Sequence, residues 1–260
     1  MSWDDGHWLR YVGLVDRQGT VVAPAKIYRT FLCFHGEVLE TIGLGAVFTQ
    51  ETFRRQGYAQ RLLTEILGRA PGLGFKAEFL WSGIGAKYYQ KCGFVPYSLE
   101  KFSLPTVATE NSFHTQETKS EDKTFMQDLF HKSTVKLEIS TYRNRMTWDL
   151  FRYLNPTRDF IVRSGAGPIG YFSGSKGNDY FWLEEAIALS GRQADLEKAI
   201  LHYAAGLSLT HIRGWNQPFG IYSDVVKSPI PDPLPMIRVW NGALSVEKTG
   251  KFFFGSLDYF

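Results

Sequence analysis

The stretch Arg54-Arg55-Gln56-Gly57-Tyr58-Ala59 carries the plainest chemistry in this 260-residue chain. It stands between an extended apolar run, Leu44-Gly45-Ala46-Val47-Phe48-Thr49, and a segment with helical spacing. Ala59, Leu62, Leu63, Ile66 and Leu67 fall at i, i+3, i+4, i+7 and i+8 and make one apolar face. A helix start leaves backbone N–H groups without partners and carries the positive end of the helix dipole, which suits an anion. Gly57 and the small Ala59 would let a phosphate approach the backbone, and Arg54 and Arg55 add charge. The expected chemistry is diphosphate binding; an ordinary strand-to-helix turn with one glycine is the alternative. A second glycine-rich run, Gly165-x-Gly167-x-x-Gly170 followed by Ser173-Gly174-Ser175-Lys176-Gly177, lacks Gly-Lys-Ser/Thr and fits two β-turns better. None of the six histidines forms a pair such as His-Glu-x-x-His, so no metal is expected. Cys92, without a histidine motif, is expected to be a small buried residue rather than a nucleophile.

Composition narrows the classes. The length suffices for one large domain or two modest ones, and 44% hydrophobic with 21% charged residues is ordinary for globular chains. Aromatics at 15% point to packed aromatic layers or an aromatic-lined pocket. A net charge of +3 without a dense Lys/Arg run gives no reason to expect a nucleic-acid or membrane partner. Cys33 and Cys92 fit neither a disulfide framework nor a zinc site, so a reducing compartment is expected. The N-terminus MSWDDGHWLR does not read as a signal peptide, and no run approaches the roughly 20 apolar residues of a membrane helix. A cytoplasmic protein is the expectation.

The elements that must position the cradle follow from periodicity and turn residues. Residues 8–16 read as a strand closed by Asp16-Arg17-Gln18-Gly19, and Ala25–Phe34 and Val38–Thr49 as two more strands joined at Phe34-His35-Gly36-Glu37. After the helix, Gly68–Gly74 is a loop, Phe75–Ser82 a buried strand, and Ala86–Cys92 a short helix ended by Gly93.

On these residues the chain resembles the GNAT acetyltransferase superfamily. Arg54-x-x-Gly57-x-Ala59 after Val47-x-Thr49 matches its acetyl-CoA signature, Q/R-x-x-G-x-G/A. Ala86-Lys87-Tyr88-Tyr89-Gln90-Lys91-Cys92-Gly93-Phe94 matches its second signature, A-x-x-F/L-Y-x-x-x-G-F. The resemblance covers about residues 8–100 and starts at the family's second strand, leaving no room for the usual first strand and two helices. Leu80-Trp81-Ser82-Gly83-Ile84-Gly85 with Ile42-Gly43-Leu44-Gly45-Ala46-Val47 is similar to the branch of fungal lysine N-acetyltransferases and bacterial enhanced-intracellular-survival acetyltransferases. That branch carries a second GNAT-like domain.

The resemblance implies acetyl-CoA as co-substrate. Arg54, Arg55, Gln56, Gly57, Tyr58 and Ala59 would hold its pyrophosphate, Val47, Phe48 and Thr49 would meet the pantetheine arm and thioester, and Ser82 would join them. Tyr89 would protonate the departing thiolate, as a phenol of pKa near 10 suits a thiol of pKa near 8.5. Tyr88, about 100° round the helix, would point elsewhere into the core. For the base, the resemblance offers Glu40, or Glu37, on the strand before the cradle, and the C-terminal carboxylate of Phe260; a solvated hairpin glutamate and a docked closing strand are the bland alternatives.

Residues 106–121 are expected as a linker between a GNAT core over 1–105 and a second domain over 122–260. There, helices are expected from Asp122 and around Trp148–Leu154, strands at Asp159–Arg163, Ile169–Ser173 and Tyr180–Leu189, and a helix at Gln193–Ala205. This order resembles a GNAT unit without the signature, hence a degenerate one. Ser228–Pro235 reads as an extended connector, and Met236–Trp240, Leu244–Glu247 and Phe252–Phe254 as closing strands. The expected fold class is α/β (α+β): a GNAT-type mixed sheet with flanking helices, then a degenerate GNAT-like domain. The expected function is direct acetyl transfer from acetyl-CoA to a primary amine of a small molecule, lysine-like, polyamine or aminoglycoside-like. Alternatives are a non-catalytic acetyl-CoA-binding module and a GNAT scaffold repurposed for another biosynthetic reaction.

Overall fold

The computed structural model describes residues 8–107, 110, 112–144, 147–149, 157–240 and 252–254. β1 (Leu9–Val15), β2 (Val21–Phe34) and β3 (Glu37–Gly45) form an antiparallel meander. The Asp16 carboxylate sets its first turn by accepting the N–H groups of Gln18 at 2.9 Å and Thr20 at 2.8 Å. α1 (Tyr58–Arg69) then buries Leu62, Leu63, Ile66 and Leu67 on the sheet. β4 (Ala77–Ser82) returns parallel to β3, followed by the short α2 (Lys87–Gln90) and β5 (Val95–Pro96). β6 (Leu99–Pro105), β7 (His114–Glu117), α3 (Asp122–Thr134) and β8 (Ile139–Thr141) lead into a second meander, β9 (Arg158–Ser164), β10 (Gly167–Lys176) and β11 (Tyr180–Ala188). α4 (Gln193–Gly206), β12 (His211–Trp215), β13 (Lys227–Ile230), β14 (Leu234–Val239) and β15 (Phe252–Phe253) complete the order. No helix among the described residues is long and apolar enough to cross a membrane.

Two mixed sheets result, and they exchange strands. The first runs β15-β8-β2-β3-β4-β14-β5 with β1 on β2, the second β13-β6-β12-β11-β10-β9-β7. Each contains the same unit: an antiparallel hairpin, a helix, and a parallel strand returning beside the hairpin. In the first sheet β14, from late in the chain, separates β4 from β5. In the second, β6, from early in the chain, separates β12 from β13. The exchange is reciprocal.

Each sheet carries cores on both faces. Ile27, Ile42, Leu44, Leu80 and Met236 pack under α1 together with Tyr89 and Phe94. The opposite face of that sheet holds Leu32, Leu39, Phe79, Tyr97, Ile237 and Phe254. In the second sheet α4 covers Phe172, Leu183 and Ile212, while α3 covers Tyr171 and Ile187. Successive side chains of an extended segment point to opposite sides. Phe253 therefore enters the α3 core and Phe254 the core of the first sheet, bolting the two bodies together. A fully buried ion pair, Arg143 Nη1 to Glu185 Oε2 at 2.7 Å, reinforces this region, and Tyr171 donates to the other Glu185 oxygen at 2.6 Å. The Arg143 guanidinium also lies 4.3 Å from the centre of the Phe130 ring.

Several expected elements change. The segment expected as a linker contains β7, because β9 completes its ladder, and β6, just before it, joins the second sheet. The proline-rich connector is two strand segments, β13 and β14, with Pro229 and Pro235 inside paired runs. β3 stops at Gly45 rather than Thr49, since Ala46 takes φ +48°. Ser173–Lys176 belongs to β10, not to a turn. Its glycines serve close approach: a Cβ at Gly174 would sit 2.4 Å from the Trp182 carbonyl oxygen, and one at Gly170 2.6 Å from that of Ile187. Thr147–Asp149 are helical; the rest of the expected 148–154 helix, the 244–247 strand and Phe260 lie outside the described residues.

Candidate active site

β3 and β4 pair in parallel from Thr41↔Ala77 to Leu44↔Leu80 and then part. Past Ala46 the chain swings against β2, where Phe48 N–H donates to the Pro24 carbonyl and Gln50 N–H to that of Val22, both at 3.2 Å. Alternating with these two, Val47 and Thr49 turn toward the opening. β4 instead continues straight to Ser82, paired there with Leu234 of β14. A wedge thus opens at the C-terminal ends of two parallel strands, the place where open α/β sheets take ligands.

Arg54–Ala59 forms the rim of that wedge. Arg55 at φ +63° and Gly57 at φ +81° turn the backbone sharply into α1, whose start has no side-chain cap. Its first N–H groups are therefore offered outward. A Cβ at Gly57 would meet nothing within 4 Å, so glycine serves the left-handed backbone here rather than relieving a crowded site. Arg54, Arg55, Gln56 and Gly57 are exposed, Tyr58 and Ala59 half-buried. Arg54 Nε donates to the Thr49 carbonyl at 3.3 Å, tying the rim to the strand end. Gln56 Nε2 donates to the Thr52 carbonyl at 3.4 Å, and Phe48 is exposed.

Tyr89 lies on α2, on the sheet face that packs α1. It is 8% exposed, its ring edge-on to Phe94 at 6.0 Å and to Tyr88 at 5.1 Å. Burial first, then Tyr88 and Cys92, raise its pKa, so the phenol stays protonated at neutral pH. Tyr88, expected in the core, packs against it and is half-buried. Cys92, expected to be buried, is half-buried. Ser82 is buried; its hydroxyl donates to the Gly85 carbonyl at 2.6 Å and shapes the turn before α2. The Asp232 carboxylate accepts Gly85 N–H at 3.1 Å, so the chain's late segment braces this turn.

Glu40, expected as a candidate base, has a partner on the neighbouring strand. Its carboxylate is ion-paired with Arg29 Nε at 2.7 Å. By strand alternation it shares the α1-facing side of β3 with Ile42 and Leu44. Glu37 is exposed in the hairpin.

The second sheet has a matching split that is closed. β11 and β12 pair in parallel as far as Leu183↔Gly214, and β11 bulges at Glu184. The Gln217 carboxamide fills the gap: its oxygen accepts Ala186 N–H at 2.9 Å and its nitrogen donates to the Glu184 carbonyl at 3.1 Å. Beside it, burial pushes the Glu184 carboxyl up to about 7; a hydrogen bond from Trp182 opposes the rise and Glu185 adds to it. Glu184 had no sequence signal, because a bulge is invisible to alternation. The pair Trp81 and Trp215, one position past the two splits, meet at 5.3 Å between ring centres.

Residues 4–97 match the family model described as an acetyltransferase (GNAT) domain. No curated protein matches the chain. Among solved structures, a probable N-acyltransferase from Enterococcus faecalis V583 aligns at 15% identity with a TM-score of 0.74, over 89% of this chain and 62% of that one. A GCN5-related N-acetyltransferase from Kribbella flavida aligns at 14% identity and TM-score 0.71, over 88% and 60%. Eis1 from Mycobacterium abscessus aligns at 15% identity and TM-score 0.58, over 88% and 64%. The chain thus spans about three fifths of the length of these structures and shares their fold. The residues that match the GNAT acetyltransferase domain model are those that carry the wedge, the rim and Tyr89.

Proposed function

We propose that this chain is an N-acetyltransferase that moves an acetyl group from acetyl-CoA to a primary amine of a small molecule. The observation that carries this is the wedge between β3 and β4, closed at its rim by an uncapped helix start with Gly57 at φ +81°. Acetyl-CoA, when bound, supplies the activated acyl group as a thioester. The residues present suit it: the rim offers backbone N–H groups and two arginines to a pyrophosphate, and Val47–Thr49 offer extended backbone to an amide-bearing arm. Tyr89, neutral and on the same side of the sheet as α1, is the proton donor for the departing sulfur. The closed split of the second sheet supports a single acetyl-CoA site per chain, with the second half shaping the acceptor side.

A thermal-shift titration with acetyl-CoA tests the cradle. The melting temperature is expected to rise saturably, and a Gly57→Val variant to lose that rise while melting cooperatively without ligand. No rise with the wild-type chain overturns the proposal. Free-thiol release with L-lysine, spermidine and kanamycin then separates an enzyme from a binding module: binding without release with any of them would favour the module.

A further inference from the structure

Phe102, Phe181, Leu183 and Ile212 of the second sheet pack under α4. By strand alternation Lys101 and Ser103 of β6, Arg213 of β12, and Tyr180 and Trp182 of β11 share the opposite face. The pairings Trp182↔Arg213 and Arg213↔Ser103 set three of these in one row across neighbouring strands. In the next row Ser228 of β13 stands opposite Lys101. The bulge at Glu184 shifts the remainder of β11, and α3 covers this face beyond it, at Ile187 and Tyr171. Short of the bulge the same side chains line a cavity of about 610 Å³, a size suited to a small ligand.

We infer that this cavity binds a nucleoside phosphate, with the base against Trp182 and the phosphate between Arg213 and Lys101. The cavity is lined by Lys101, Arg213 and Lys227 and by no aspartate or glutamate. Lys101 is exposed and has no ion-pair partner among the described residues. Arg213 lies 3.8 Å from Asp179, longer than a hydrogen bond, and 4.6 Å from the centre of the Tyr180 ring. Lys227, set opposite Phe102 at the β13 rim, donates to the Ser223 carbonyl at 3.2 Å, a neutral acceptor that leaves its charge unbalanced.

Cations gathered without a counter-charge repel one another, and an anion among them offsets that repulsion. Lys101 pairs two places along from Ser103, so it is the diagonal neighbour of Arg213, at a spacing of roughly 7–8 Å that one phosphate group spans. Charge alone would suit any anion; the rings narrow the class. Trp182 and Tyr180 are half-buried and meet at 76°, 6.5 Å between ring centres, forming a corner with an indole wall one strand from Arg213. Flat bases stack on such rings whatever their sequence of ring atoms, and the Ser103 and Ser228 hydroxyls offer donors and acceptors to sugar or phosphate oxygens. The acetyl-CoA cradle lies on the first sheet, so this is a separate site, and the inference does not depend on the function proposed above.

The test is calorimetric titration of the full chain with ADP, UDP, adenosine, uridine and inorganic pyrophosphate. At least one diphosphate is expected to bind, at least about 10-fold more tightly than pyrophosphate or its own nucleoside. Lys101→Glu is expected to weaken it at least about 10-fold, by turning attraction into repulsion, and Trp182→Leu by about 5- to 150-fold, the worth of one stacked base. Both variants should melt cooperatively by circular dichroism and keep the wild-type acetyl-CoA thermal shift. Binding of neither diphosphate, pyrophosphate binding as tightly as both, or unchanged affinity in either variant overturns the inference. So does a variant that loses the acetyl-CoA shift along with the nucleotide, which would place the nucleotide in the cradle. Absence of any acetyl-CoA shift in the wild type instead overturns the proposed function, and the titrations still decide this site.

Discussion

Replacing Gln217 by alanine removes a side chain that does for the second sheet what a ligand would do for the first. Its carboxamide is 7% exposed and bridges Ala186 N–H, at 2.9 Å, and the Glu184 carbonyl, at 3.1 Å. Without it the Ala186 donor is left buried, costing about 1–3 kcal/mol, and the partly buried Glu184 acceptor adds roughly 1 kcal/mol. The sum is about 2–4 kcal/mol, or a fall in melting temperature of roughly 5–15 °C for a chain of this size. Gln217→Met separates the causes, because it fills the volume and makes neither bond. Urea unfolding followed by tryptophan fluorescence and circular dichroism measures both variants. Gln217→Met is expected to lose at least about 2 kcal/mol. A methionine variant within roughly 0.5 kcal/mol of wild type, the range of an ordinary surface change, would show that Gln217 merely packs and would refute the reasoning.

Tyr89→Phe is expected to lower turnover by about 100-fold or more, the usual worth of a positioned general acid, with acetyl-CoA affinity unchanged; equal losses in steady-state assay and titration would mark the ring as structural. Glu78 gives a pH prediction. Its side chain is fully buried 3.5 Å from Arg238, and burial pushes the carboxyl up to about 8 against the pull of Arg238 and the nearby Trp240 indole. The folded pKa exceeds the unfolded one, so stability falls as pH rises from about 4.5 toward 8 and levels off above. Glu78→Gln removes that dependence, and its stability relative to wild type should grow from pH 5 to pH 8, by at most about 4 kcal/mol. A difference that shrinks over that range in urea midpoints would mean that Arg238 keeps Glu78 ionised.

What the sequence disclosed was local. The α1 stripe of Leu62, Leu63, Ile66 and Leu67 shows itself in its spacing, and Asp16 and Gly93 mark their turns through their own backbone chemistry. The rim was legible for the same reason: uncapped helix start, glycine and arginines are neighbours in the chain. Partners distant in sequence were not. Leu99–Pro105 is short and ends on a proline, Leu234–Val239 is short with Pro235 inside it, and only the strands waiting on either side make them ladders. Nor could the sequence show that Glu40 has Arg29 lying 2.7 Å away. Glu184 was hidden because its bulge and its clamp depend on Gln217, thirty-three positions on.

The traded strands make the two halves hostages of each other during folding. A chain emerging in order completes β4 and β5 long before β14 is available to fill the space between them. Until then two ladder edges stay bare, and bare edges invite pairing with other chains. Contacts such as Ala77 with Val239 close very long loops, which slows folding relative to a chain of local contacts. Cutting the gene between the halves would therefore yield two aggregating fragments rather than two domains, though the fragments mixed during refolding could complete one another. A duplicated ancestor whose copies first met as separate chains, each lending its last strand to the other, would leave this architecture behind once fused.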